Sequence, residues 1–233
     1  VNLIIITVAP VLILAFYIYL RDKYEREPAG QLALALAAGC LITIPVSFIE
    51  NWLSVPLSTL GGYASVAWNA FAVAAVTEEL LKFLALMILF WNNRNFNEKF
   101  DGIVYASFIS LGFAGVENVL YVADGGMGVG LVRAFTAVPA HALFGILMGY
   151  QAGLARFYPG ERNRRLFLAL ALPVLLHGLY DFILMSGHPY LLLVYVPYMI
   201  FLWIFGFRRM RQLSDRSIYR LIGWQKPGSG NRF

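Results

Sequence analysis

The sequence predicts an all-α membrane protein, a seven-helix transmembrane bundle. Three observations carry this. Of 233 residues, 60% are hydrophobic and 13% charged, with a mean hydropathy of +0.68; a soluble domain carries about 25% charged residues. Seven apolar stretches reach or approach the roughly 20 residues that a helix needs to cross hydrocarbon. The connections between them alternate between basic ones and ones with no Lys or Arg.

The spans fall at about 2–20, 31–49, 65–91, 102–123, 129–157, 166–186 and 190–207. The first lacks a basic leading region and a small-residue cleavage site, so it reads as a span and not a cleavable signal. The second contains Cys40, the only cysteine. One cysteine excludes an intramolecular disulfide and a Cys-rich metal site, and Cys40 reads as a small packing residue. The third and fifth runs are long enough to tilt or extend past the bilayer. Pro139 and Pro173 bend their helices, which bundles tolerate. Gly112, Gly115, Gly145, Gly149 and Gly153 let helix backbones approach. The seventh run is the shortest.

Sixteen of the 18 basic residues lie in the first, third and fifth connections and in the tail. The exceptions are Lys82 and Arg133, inside the third and fifth stretches. The positive-inside rule places the N-terminus outside and the C-terminus in the cytoplasm. Residues 1–210 form one transmembrane domain, and 211–233 a basic cytoplasmic tail. The tail mixes Arg with Leu213, Ile218, Tyr219 and Trp224, as a short interfacial helix held by anionic lipid does. The net charge of +5 is thereby accounted for without nucleic acid.

Val76-Thr77-Glu78-Glu79-Leu80-Leu81-Lys82 interrupts the third apolar run with three ionisable groups. Charge at that depth is expensive and marks function. A structural Glu78–Lys82 pair, four residues apart, is the plainer reading, but it leaves Glu79 unexplained. Later stretches add Glu117-Asn118, His141, and His177 with Asp181. His188 sits in a short outer turn and reads as incidental.

Depth relates these groups. At 1.5 Å per residue, Glu79 lies roughly 21 Å from the outer end of its span and His141 roughly 18 Å. His177 lies roughly 14 Å down and Glu117 roughly 9 Å. Four helices thus bring polar groups into the outer half of the bilayer. Two His and one carboxylate are the ligand set of a catalytic zinc site with one position open for water. A further Glu can take the proton from that water and pass it to the leaving amine. Asp181, four residues after His177, can orient its imidazole. Asn118 can polarise a carbonyl or only bond a neighbouring helix. Lys82 can pair with either carboxylate and hold it charged.

Glu78-Glu79-x-x-Lys82, Phe113-x-x-x-Glu117-Asn118, His141 and His177-x-x-x-Asp181 together resemble the PrsW family of intramembrane proteases. They are more distantly similar to the CPBP group, which includes CAAX prenyl endopeptidases and bacteriocin-immunity proteins. The resemblance spans about Ser65 to Ser186. Lys82, Glu117 and Asp181 stand where the CPBP pattern has an Arg one residue later, a His and an Asn, so a CAAX protease fits less well. The resemblance implies that Glu78 and Glu79 activate water, and that Glu117, His141 and His177 bind zinc or the catalytic water. It implies a metallo- or glutamate-dependent endopeptidase of a prokaryotic cell membrane. The substrate would be a membrane-tethered protein cut near its extracytoplasmic face, such as an anti-sigma factor. Two other classes use the same residue types. A proton- or ion-coupled transporter needs buried carboxylates and histidines, but the chain shows no inverted repeat. A non-catalytic peptide-binding or immunity protein needs the cavity without the chemistry.

Overall fold

A computed structural model describes residues 2–54 and 56–215 of the chain. No strand occurs among the described residues. In order, the helices are α1 (Asn2–Arg21), α2 (Ala29–Leu53), α3 (Leu57–Leu60) and α4 (Gly62–Ala67). A π-helical segment, Trp68–Ala75, joins α4 to α5 (Val76–Leu89). Then come α6 (Lys99–Phe135), α7 (Ala137–Phe157), a 3₁₀ turn at Pro159–Glu161, α8 (Arg162–Met185) and α9 (Pro189–Ser214). Among the described residues, four helical stretches are long and apolar enough to cross a membrane: Ala29–Leu60, Lys99–Phe157, Pro159–Met185 and Pro189–Ser214. Exposed Leu, Ile, Phe and Trp, such as Trp52 and Phe48, cover the outside of the helices. That is the expected surface for a bundle whose solvent is lipid. The chain is therefore an all-α membrane protein.

The 59-residue stretch Lys99–Phe157 is not one rod. Gly126 takes φ 76°, a left-handed conformation that glycine alone adopts cheaply. The chain doubles back there, so that the Arg133 guanidinium stacks 3.8 Å from the Tyr121 ring centre. The expected loop at 124–128 is thus a sharp reversal with helix on both sides. A second break at Thr136 (φ −119°, ψ −73°) divides the expected fifth run. The third run stays helical and changes its winding at the π-helical segment. At the other end, α9 continues to Ser214, past the expected boundary at 207. The interfacial-helix expectation for the tail falls mostly on residues outside the described ones.

Close backbone approach fixes α6 between α2 and α7. A Cβ on Gly149 would lie 2.1 Å from the Gly102 carbonyl oxygen, and one on Gly153 2.1 Å from that of Lys99. On the opposite side, a Cβ on Gly39 would lie 2.0 Å from the Ile109 oxygen, and one on Gly112 2.1 Å from that of Leu36. Small residues substitute here for the hydrophobic driving force that lipid removes. Gly115 meets only the Val11 side chain, at 3.4 Å, and so plays no such part. Between these contacts Phe90, Phe96, Phe100, Tyr105 and Leu111 form the dry centre. The first limb of α6 is therefore held on both flanks, and it carries Phe113 and Glu117 towards the end where α5, α7 and α8 meet.

Candidate active site

Glu78 and Glu79 stand in the first turn of α5, directly after the π-helical segment. Such segments recur at functional sites because the wider turn re-aims the side chains that follow. Glu78 is 5% exposed, and Glu79 and Lys82 are fully buried. The i+3 and i+4 spacing puts Lys82 on the same face as both carboxylates. Its Nζ donates to Glu78 Oε2 at 2.9 Å and to Glu79 Oε1 at 2.9 Å. The ammonium also lies 3.2 Å from His141 Nδ1 and 4.1 Å from the Phe113 ring centre.

The other helices complete the cluster. From α8, His177 Nδ1 lies 3.0 Å from Glu79 Oε1 and its Nε2 3.2 Å from Asp181 Oδ2. The Phe144 ring of α7 stacks on this imidazole at 4.9 Å. From α7, His141 Nε2 lies 2.9 Å from Glu117 Oε2. That same Glu117 oxygen accepts from Arg133 Nη2 at 2.9 Å. The two imidazoles are 5.1 Å apart and nearly perpendicular.

One donor atom from each of Glu78, Glu79, His141 and His177 lies within 4.8 Å of the others, and all four residues are buried. Glu79 Oε2 is buried without a hydrogen-bond partner. Two imidazoles and two carboxylates, one of them with an unpartnered oxygen, fit a metal such as zinc in donor type and spread. The Lys82 ammonium contacts three of these four groups, Glu78, Glu79 and His141.

Beside it opens a cavity of about 520 Å³. Glu78, Glu117, His141, His177 and Asp181 line it, with Glu50, Asn69, Phe113, Arg133 and Tyr180 among the rest. Glu79 and Lys82 lie behind this wall. Asn118 does not reach the cavity, because its Nδ2 donates to the Thr7 carbonyl of α1 at 3.4 Å. Consecutive helical residues point about 100° apart, so with Glu117 on the cavity, Asn118 faces α1. Glu117 stands behind His141, paired with Arg133, and outside the close group of four. His188 packs among Tyr63 and Tyr190, as an incidental turn residue would. Arg133 and Glu50 are contributors that the sequence reading passes over. The signal for Arg133 was its place as one of two cations outside the basic connections.

The fold and site together define a helical membrane protein built round a buried carboxylate–imidazole centre that faces a cavity lined by both charged and apolar side chains. Residues 27–205 match the model of the PrsW family of intramembrane metalloproteases. The chain is 38% identical to the protease PrsW of Oceanobacillus iheyensis over 211 residues, covering 91% of this chain and 95% of that protein. It is 39% identical to the protease PrsW of Bacillus subtilis over 208 residues, covering 88% and 92%. Against the protease PrsW of Clostridioides difficile it is 33% identical over 222 residues, covering 93% of each. No solved structure matches the chain. The chain belongs to the PrsW family and is an intramembrane protease of a prokaryotic membrane.

Proposed function

We propose that the chain hydrolyses a peptide bond of a membrane-tethered protein near its extracytoplasmic face, with Glu78 as the general base. The observation that carries this is the division between the two carboxylates. Glu78 faces the cavity, where water and a substrate carbonyl can reach it. Glu79 is fully buried between Lys82 and His177. A base must be within reach of the proton that it removes, and Glu78 is. Lys82 holds Glu78 by Oε2 and so orients the carboxylate.

His141, His177 and Glu79 would hold the metal, which we take to be zinc. When bound, it would supply Lewis acidity to water and to the substrate carbonyl. The other residues position this set. Glu117 fixes His141 through Nε2, and Arg133 fixes Glu117. Asp181 does the same for His177. Glu117, expected as a ligand, thereby takes an orienting part, and Asn118, expected beside the carbonyl, takes a packing one. Glu78 would remove the proton from water and deliver it to the departing amine nitrogen.

We further propose seven membrane crossings in one domain, with the N-terminus outside. The Lys and Arg distribution supports this orientation. It places the Glu78 end of the bundle near the outer face. A single-span protein such as an anti-sigma factor, cut in its extracytoplasmic juxtamembrane segment, is the substrate class that suits such a site. The test is cleavage of single-span reporters by purified protein in proteoliposomes, with metal content measured alongside. Glu78→Gln should abolish cleavage and keep the metal, and His177→Ala should lose both. Full cleavage by Glu78→Gln would overturn the assignment of the base, and metal content unchanged in His177→Ala would overturn that of the ligands.

A further inference from the structure

At the opposite end of the bundle, carboxylates from the α1–α2 connection meet the start of α6. Asp101 and Glu117 are separated by 16 residues of α6, about 24 Å along its axis. Asp101 Oδ2 accepts from the backbone N–H groups of Asn97 and Glu98, both at 2.7 Å. One oxygen of Glu27 accepts from the Tyr105 hydroxyl. Glu25 Oε1 accepts from Asn97 Nδ2 at 3.3 Å. Each of the three carboxylates is thus anchored through one oxygen. The other oxygen of each, Asp101 Oδ1, Glu27 Oε1 and Glu25 Oε2, is buried without a hydrogen-bond partner. Asp101 is fully buried and Glu27 is 3% exposed. One oxygen from each residue lies within 4.8 Å of the others.

We infer that Glu25, Glu27 and Asp101 form a second cation site, distinct from the protease centre, which takes a hard divalent ion such as Ca²⁺ or Mg²⁺. Three carboxylates packed together out of water repel one another, which a bound cation or a shared proton relieves. An all-oxygen donor set selects a hard cation over zinc. Each carboxylate is pre-oriented by a donor on its other oxygen, as ligands of a built site are. Glu25 is half-buried and gives the ion a way in. By the proposed topology the site faces the cytoplasm. A bound ion would fasten the α1–α2 connection to the start of α6.

Mn²⁺ is the probe, counted by electron paramagnetic resonance on the purified full chain in detergent. One Mn²⁺ should remain bound in His177→Ala, which removes the protease-site ligand, and Ca²⁺ or Mg²⁺ should displace it. Glu27→Gln or Glu25→Gln should eliminate it. Tyr105→Phe should weaken it by about 10–100-fold, the usual effect of losing an outer hydrogen bond to a ligand. Glu25 is the least buried of the three, so Glu25→Gln serves if Glu27→Gln fails to fold. Absence of this Mn²⁺, or its persistence in Glu25→Gln, would overturn the site. A Glu27→Gln protein that gains thermal stability with Mn²⁺ binding unchanged would also overturn it, and would point to a proton shared between Glu27 and Asp101.

Discussion

Replacing Lys82 with Met isolates the electrostatics of the centre. The two side chains are similar in length, so the main loss is the ammonium. Each Lys82–carboxylate contact, at 2.9 Å, corresponds to ~6 kcal/mol of Coulomb attraction at an effective dielectric of 20. Desolvation offsets much of that, and removing one member of a buried pair costs about 3–5 kcal/mol. For a chain of this size, such a loss lowers the melting temperature by roughly 6–20 °C. Here the change leaves two carboxylates facing each other, so the upper half of the range is expected. The assay is thermal unfolding of purified protein in one detergent, with cleavage followed in parallel. Glu79→Gln combined with Lys82→Met should recover about half the loss, since one of the two unbalanced charges is gone. A Lys82→Met protein melting within about 2 °C of wild type would refute the claim that this cation holds the centre together.

Three further outcomes follow from the same geometry. Gly149→Val drives a side chain into the Gly102 backbone and should cost about 3 kcal/mol, at the upper end of overpacking. Gly30→Ala, with open space around it, should stay within about 1 kcal/mol of wild type; thermal unfolding compares the two. Arg133→Met frees Glu117 from its cation and should reduce cleavage while metal content is kept, because Arg133 offers no ligand atom. Unchanged cleavage would detach this pair from the site. Asp181→Asn removes the carboxylate beside His177 Nε2 and should weaken metal binding or activity by about 10–100-fold, read by competition with a chelating dye.

Helix content was legible because apolar runs report on burial in lipid without reference to tertiary contacts. The Glu78–Glu79–Lys82 triad was legible for a local reason: helical spacing alone brings i, i+3 and i+4 together. Counting depth put Glu79, His141, His177 and Glu117 in one slab, roughly 9–21 Å down, and their side chains do cluster. It placed Glu117 about 9 Å higher than His141, yet the two share a hydrogen bond of 2.9 Å. Span ends drawn from hydropathy do not see a reversal at a single residue, Gly126, nor the break at Thr136. The orientation of Asn118 was not legible, since adjacent helical residues such as Glu78 and Glu79 can both reach one cluster, and its partner, the Thr7 carbonyl, lies 111 positions away. The carboxylates at the far end were not legible, because their anchors lie 72 and 78 positions away. The π-helical segment also has no signature in composition.

That wider stretch, Trp68–Ala75, decides which residues can look at the substrate together. Asn69 and Glu78 are nine positions apart, which in an unbroken α-helix turns them to opposite faces, about 900° of rotation. Both nevertheless line the same chamber, with Val73 and Ala74 between them. Removing one residue from this stretch would let it tighten to α geometry with the two eight positions apart, about 800° of rotation or 80° net, so Asn69 would stay towards the chamber. The wider turns thus let a nine-residue spacing do what an eight-residue spacing does in an α-helix, and they keep the wall that would meet the cleaved chain and the group that would attack it on one chamber.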